Sequence, residues 1–240
     1  MIVRVLVLLF VLWSGAASAQ LGGKSVVVTE RTRAELLAHA PEGIEPGKPV
    51  WVGLQLAHQP EWHSYWKNSG DSGLPTKLEW KLPAGVLAGE IAWPTPSKHP
   101  IGTLINYGYE HTVLLPVPLT ITPEFKPSPL AGALEIKLKA SWLVCRRECI
   151  PEEGEFSLAI PAKSATALHG PAFQASFAAQ PKPLAGQATA SIDGNALRLR
   201  VTGLPAGVRG KPLEFFPETP NVVVTAATPA PLAIQAFGPA

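Results

Sequence analysis

The chain has 240 residues, with 20 Lys and Arg against 18 Asp and Glu and a formal net charge of +2. That near balance gives no reason to expect nucleic acid or an acidic surface as partner. Twenty-six prolines and twenty-one glycines, with little helical periodicity, point to an all-β fold rich in turns, of a length for one large domain or one full domain plus a smaller unit.

The opening stretch MIVRVLVLLFVLWSGAASAQ combines one basic residue, an apolar run and Ala17-Ser18-Ala19 before Gln20. It reads as a secretory signal peptide over residues 1–19, because the apolar run from Ile2 to Trp13 is short for a bilayer span. Short strands are expected at Ser25–Glu30 and Arg33–His39. In KPVWVGLQLAH the residues Val50, Val52, Leu54 and Leu56 fall on one face of a strand that follows the turn Pro46-Gly47.

Next comes the aromatic cluster PEWHSYWKNSGDSGLPTKLEW, with Trp62, His63, Tyr65, Trp66 and Trp80. It is either sandwich core beside a flexible NSGDSG loop, or a partner surface or lid over the cysteines. Further strands are expected at Thr76–Leu82 and Glu90–Trp93. A second candidate lid is SKHPIGTLINYGYE, with Ile105, Tyr107 and Tyr109. HTVLLPVPL is strand-like, and Pro116 and Pro118 suggest an edge or irregular strand. In ALEIKLKASWLV, Leu134, Ile136, Leu138, Ala140 and Trp142 face one way and Glu135, Lys137, Lys139 and Ser141 the other; EFSLAIP repeats the alternation.

Many short strands separated by turns fit an immunoglobulin-like β-sandwich over residues 24–165. A helix opening at Pro171 and the linker PKPLAGQ occupy residues 166–186. Residues 187–240 look like the start of a second β-rich unit. It opens with a hairpin turning at Asp193-Gly194, followed by LEFFPE and NVVVTAAT. A unit this short struggles to bury a core alone, so a partial second domain is expected.

Both cysteines lie in SWLVCRRECIPEEG, as Cys145 and Cys149. In an oxidising compartment two cysteines this close are expected to pair. Strand parity puts Cys145 on the side of Lys137 and Lys139, at an accessible strand end. A continuous strand holds the two Cα atoms about 13 Å apart, whereas a disulfide needs about 4.4–6.8 Å, so the chain must turn between them. As a staple such a ring is weak, at about 2 kcal/mol against about 4.7 kcal/mol for a ring of 100 residues. Arg146 and Arg147 favour thiolate at either cysteine, while Glu148 and Glu152 oppose them in part or handle protons.

Three readings stand at this point: a redox pair, a local structural bridge and a metal ligand. The metal reading lacks partners, because His39, His58, His63, His99, His111 and His169 form no ligand pattern with the cysteines. The only methionine is the initiator, so thioether ligands for Cu(I) are missing. No metal and no cofactor are expected, and no triad or phosphate loop stands out.

The stretches WHSYWKNSGDSGLPTKLEWKLPAGV, IAWPTP, YGYEHTVLLPVPL and WLVCRRECIPEEG together resemble the N-terminal periplasmic domain of the DsbD family, more narrowly its ScsB type from the suppressor-of-copper-sensitivity systems. The resemblance covers roughly residues 24–165 and implies an immunoglobulin-like domain with a redox-active disulfide. It implies a periplasmic thiol:disulfide oxidoreductase that takes electrons from a membrane-embedded donor domain and reduces thioredoxin-fold partner proteins, with a link to copper tolerance. Cys149, before Ile150-Pro151-Glu152, matches the cysteine that exchanges with partners, and Cys145 the one that resolves. The better-known branch has five residues between its cysteines where this chain has three. Its aromatic cap loop matches Lys98–Tyr109 by order along the chain. The alternative is a non-catalytic exported β-sandwich module that binds copper or a protein and carries a local structural disulfide.

Overall fold

A computed structural model describes residues 24–128, 132–208, 211 and 213–225 of the chain. The expected signal peptide lies outside them, and none of the described helices is long and apolar enough to cross a membrane. The main body is built from β1 (Val26–Val28), β2 (Thr32–His39), β3 (Val50–His58), β4 (His63–Gly70), β5 (Lys77–Lys81), β6 (Val86–Ala88), β7 (Ser97–Ile101), β8 (Leu104–Glu110), β9 (Thr112–Ile121), β10 (Ala133–Cys145) and β11 (Cys149–Pro161). One sheet has the order β1-β2-β3-β9-β6. The second runs β11-β10-β4-β8-β7, with β5 also paired to β10.

All these pairings are antiparallel, and each sheet turns one apolar face inward, as the period-two patterns predict. The core joins Leu36, Val52, Leu54, Leu56, Leu115 and Val117 of the first sheet to Leu134, Ile136, Leu138, Trp142 and Trp66 of the second. Along β10 the alternation is strict: Leu134, Ile136, Leu138 and Ala140 are buried, whereas Glu135, Lys137 and Lys139 are exposed. This is the expected β-sandwich.

Two local expectations are corrected. Residues Glu90–Trp93 form no strand. Their neighbour is β9, and the backbone N–H groups of Gly89 and Ala92 donate to the carbonyls of Pro118 and Pro116. Proline has no N–H to return the bond, so the contact stays one-sided and no ladder forms. The same fact explains why β9, although flanked by β3 and β6, tolerates two prolines. Their missing donors point to the side where, among the described residues, the only paired segment is the three-residue β6.

Helix α1 (Gly170–Ala178) starts where the proline predicts and packs on the outer face of the first sheet. Phe173, fully buried, meets Leu37 and Leu114, and the Ser176 hydroxyl donates to the Leu114 carbonyl at 2.9 Å. The expected hairpin forms as β12 (Ala188–Asp193) and β13 (Ala196–Val201), with Gly194 and Asn195 as its loop. Its strands pair only with each other, and Ile192 and Leu199 are exposed.

LEFFPE, expected as a strand, forms none; it returns to the sandwich instead. Phe216 packs edge-on against Tyr107 and Trp66, the Asn68 amide donates to the Pro217 carbonyl at 2.7 Å, and Lys67 pairs with Glu218 at 2.6 Å. An aromatic side chain with an apolar partner surface within reach gains more by covering it than by pairing in an isolated two-stranded ribbon.

Candidate functional site

Strands β10 and β11 form one long hairpin in continuous register from Ala133↔Pro161 to Cys145↔Cys149, closed by Arg146, Arg147 and Glu148. The cysteines are therefore directly opposite one another, and they form a disulfide with Cα atoms 4.2 Å apart. That spacing is close to the ~4.5 Å of a non-hydrogen-bonded antiparallel pair, so the turn alone brings the sulfurs within bonding reach. A turn between the cysteines is what the sequence requires.

The expected accessibility of Cys145 is overturned. Cys145 is 0 % exposed, and Cys149 is the exposed partner. The cause is strand order. β10 has β11 on one side and β4 on the other, where Cys145 pairs with His63, whereas β11 is the last strand of its sheet. Parity assigns a face to Cys145 but not what lies over that face.

What lies over it is Tyr65. Its hydroxyl donates to Cys145 Sγ at 2.6 Å and is 3.2 Å from Cys149 Sγ. The ring itself is buried, and burial pushes the phenol up to about 12, so it stays protonated at neutral pH. Asn106 of β8, fully buried, donates its amide to the Tyr65 oxygen at 3.3 Å and accepts from the Ser72 N–H and hydroxyl. Of the two candidate lids, then, the aromatic cluster supplies the ring over the sulfurs. From Lys98–Tyr109 it is Asn106 that reaches the site, through the tyrosine; Tyr107 and Tyr109 are buried elsewhere, Tyr109 donating to the Pro94 carbonyl. Asn106 carried no signal in the sequence, since nothing local pairs it with Ser72 or Tyr65.

The loop charges are arranged differently from the simple expectation. The guanidinium of Arg146 lies 5.4 Å from the ring centre of Trp62 and pairs with Glu61 at 3.2 Å. Arg31 lies 5.1 Å from the same ring, so Trp62 carries two cations. Arg147 and Glu148 are exposed in the loop. Glu152 is buried and committed to structure: it accepts from Thr29 Oγ1 at 2.8 Å and Trp142 Nε1 at 3.1 Å, and Arg31 is 3.8 Å away. It locks β11 to the turn before β2 and is not aimed at the sulfurs.

Two of the histidines lie in the interior beside this site. His63 and His99 are buried and stacked, with ring centres 4.7 Å apart, and His63 meets the Tyr65 ring edge-on at 5.3 Å. His99 contacts Ser97 Oγ at 2.9 Å and Glu110 Oε1 at 3.2 Å. Burial, then the neighbouring His99, pushes His63 down to about 4, with Glu110 acting the other way. Among the described residues no cluster of three or more His, Cys, Asp and Glu side chains is arranged to hold a metal ion.

A solvent-exposed sulfur bonded to a buried one, with a phenolic donor on the buried sulfur, is an arrangement suited to exchange with another thiol. The chain's fold is similar to the crystal structure of the N-terminal periplasmic domain of ScsB from Proteus mirabilis, with a TM-score of 0.55 and 17% sequence identity over 75% of this chain and 68% of that one. No curated protein sequence matches the chain. The family described as thiol:disulfide interchange protein DsbD, N-terminal, matches residues 33–161, which include both cysteines, Tyr65 and Asn106. The chain belongs to the DsbD N-terminal family, with Cys145–Cys149 as the disulfide of its interchange domain.

Proposed function

We propose that the chain is an exported relay that carries electron pairs from a membrane-embedded reductase to thioredoxin-fold partner proteins in the periplasm, acting as a protein-disulfide reductase module. The observation that carries this reading is the asymmetry of the pair: Cys149 is exposed, whereas Cys145 is buried under the Tyr65 hydroxyl at 2.6 Å. Loading begins when a donor thiolate bonds to Cys149 Sγ. The Cys145–Cys149 bond breaks and its electron pair leaves on Cys145 Sγ, where the Tyr65 O–H receives it. The donor's second thiolate then attacks the mixed disulfide, leaving the donor oxidised and both cysteines reduced. Unloading reverses the roles: Cys149 attacks a partner disulfide, and Cys145 attacks Cys149 Sγ to release the partner as a dithiol. Thiolates are the attacking species in each step.

Export rests on the signal-like residues 1–19, and residues 187–240 are proposed to open a second β unit of which β12 and β13 form the first hairpin. The tie to copper tolerance rests on the ScsB resemblance alone, and a Cu(I) titration of the reduced protein against a competing chelator tests it. For the relay itself, titration against glutathione or dithiothreitol couples should show reversible two-electron exchange. A disulfide that stays closed below about −300 mV belongs to a structural bridge and overturns the reading. Cys145→Ser should accumulate a mixed disulfide through Cys149 with a thioredoxin-fold partner, and Cys149→Ser should not.

A further inference from the structure

Tyr65 has one proton to donate and needs a reason to aim it at sulfur. Its hydroxyl oxygen is 2.6 Å from Cys145 Sγ, 3.2 Å from Cys149 Sγ and 3.3 Å from Asn106 Nδ2. The orientation of the Asn106 amide settles which way the proton points. Asn106 Oδ1 accepts from the Ser72 backbone N–H at 3.2 Å and from Ser72 Oγ at 2.9 Å. Flipping the amide would set its NH2 group against the Ser72 N–H, two donors face to face in a site where Asn106 has no exposure to water. The amide nitrogen is therefore the end that faces Tyr65. It fills an acceptor position on the phenolic oxygen, and the phenolic proton is left for the sulfurs.

We propose that Asn106, held by Ser72, is a positioning residue for the exchange: it keeps the Tyr65 hydroxyl as a donor to Cys145 Sγ, so that Cys145 is the sulfur that leaves as thiolate when Cys149 is attacked. The proposal rests on the relay reading above. It adds two residues to the site, and it explains how a buried sulfur can bear charge where no arginine or lysine is bonded to it among the described contacts. A hydrogen bond to a charged acceptor favours the charged form by about tenfold or more, so the effect is large enough to measure. Tyr65 remains a phenol throughout, since burial pushes it up to about 12.

The test uses the full chain, with Cys149→Ser as background so that Cys145 titrates alone, and reads thiolate absorbance against pH. Asn106→Ala and Tyr65→Phe should each raise the Cys145 pKa, by about one unit or tenfold in thiolate fraction. The double variant should match the Tyr65→Phe single variant, because Asn106 acts only through the phenol. With both cysteines present, Asn106→Ala should shift the equilibrium with glutathione about tenfold toward the disulfide, equivalent to about 30 mV. If Asn106→Ala fails to fold, Ser72→Ala removes one of the two donors to the amide oxygen and should shift Cys145 in the same direction by less.

A Cys145 titration unmoved by Asn106→Ala, or an effect that persists undiminished in the Tyr65→Phe background, overturns the positioning role while leaving the relay standing. A wild-type disulfide inert to glutathione overturns the relay, and the positioning role with it.

Discussion

Gly73, in the loop after β4, lies against the ring of Tyr65, and Gly73→Ala tests whether that loop is coupled to the cysteine pair. Its φ is +94°, where an alanine is strained, and a Cβ built there would lie 2.7 Å from Tyr65 Cδ1 and closer still to Cε1 and Cζ. Gly43 provides the control: its φ is +84°, but a Cβ there meets nothing within 4 Å. Gly43→Ala should therefore show the backbone cost alone, about 1–2 kcal/mol. Gly73→Ala adds overpacking against a buried ring, worth about 1–3 kcal/mol, for a total of about 2–5 kcal/mol. Carbon atoms need roughly 3.5–4.0 Å, so the ring must retreat by roughly 1 Å or more. That carries the hydroxyl from 2.6 Å to beyond good hydrogen-bonding distance of Cys145 Sγ. Urea unfolding of the oxidised proteins measures the first effect, and equilibration with glutathione the second. Gly73→Ala should favour the disulfide several-fold relative to wild type, and Gly43→Ala should leave that equilibrium unchanged. Equal stability losses and equal redox equilibria in the two variants would refute the coupling of the loop to Tyr65.

Two further outcomes follow from the packing. His63 is neutral in the folded protein down to about pH 4, whereas an unfolded histidine binds its proton near 6.5, so the unfolded state takes up more protons in between. Stability should fall as pH drops from about 6.5 towards 4, by on the order of 3 kcal/mol from this residue. His63→Gln should flatten that part of the stability curve, and an unchanged slope in urea unfolding at stepped pH would refute the assignment. Phe216→Ala removes the ring that packs on Trp66 and Tyr107 and should cost about 2–3 kcal/mol. A loss below about 0.5 kcal/mol would mean that the Phe216 ring does not contribute to the sandwich.

Much of the fold was legible in the chain because it depends on short-range pattern. Alternation in Leu134, Ile136, Leu138, Ala140 and Trp142 identifies a strand with one buried face, and that is how β10 lies. Proline at position 171 marks the start of α1, and the Cys-x3-Cys spacing requires a turn that the β10–β11 hairpin supplies. The segment 89–93 was not legible as a non-strand, because its fate depends on which residues of a remote strand lack an N–H.

By itself the sequence determined the β-sandwich, the cysteine pair and the family, since periodicity, turn residues and ordered motifs are local properties of the chain. Tertiary structure alone decided which cysteine is buried, which aromatic ring covers it and what aims that ring's proton. Cys145, Tyr65, Ser72 and Asn106 come from β10, β4, the loop after it and β8. Their meeting depends on strand order and register, and neither is written in the spacing of any one segment.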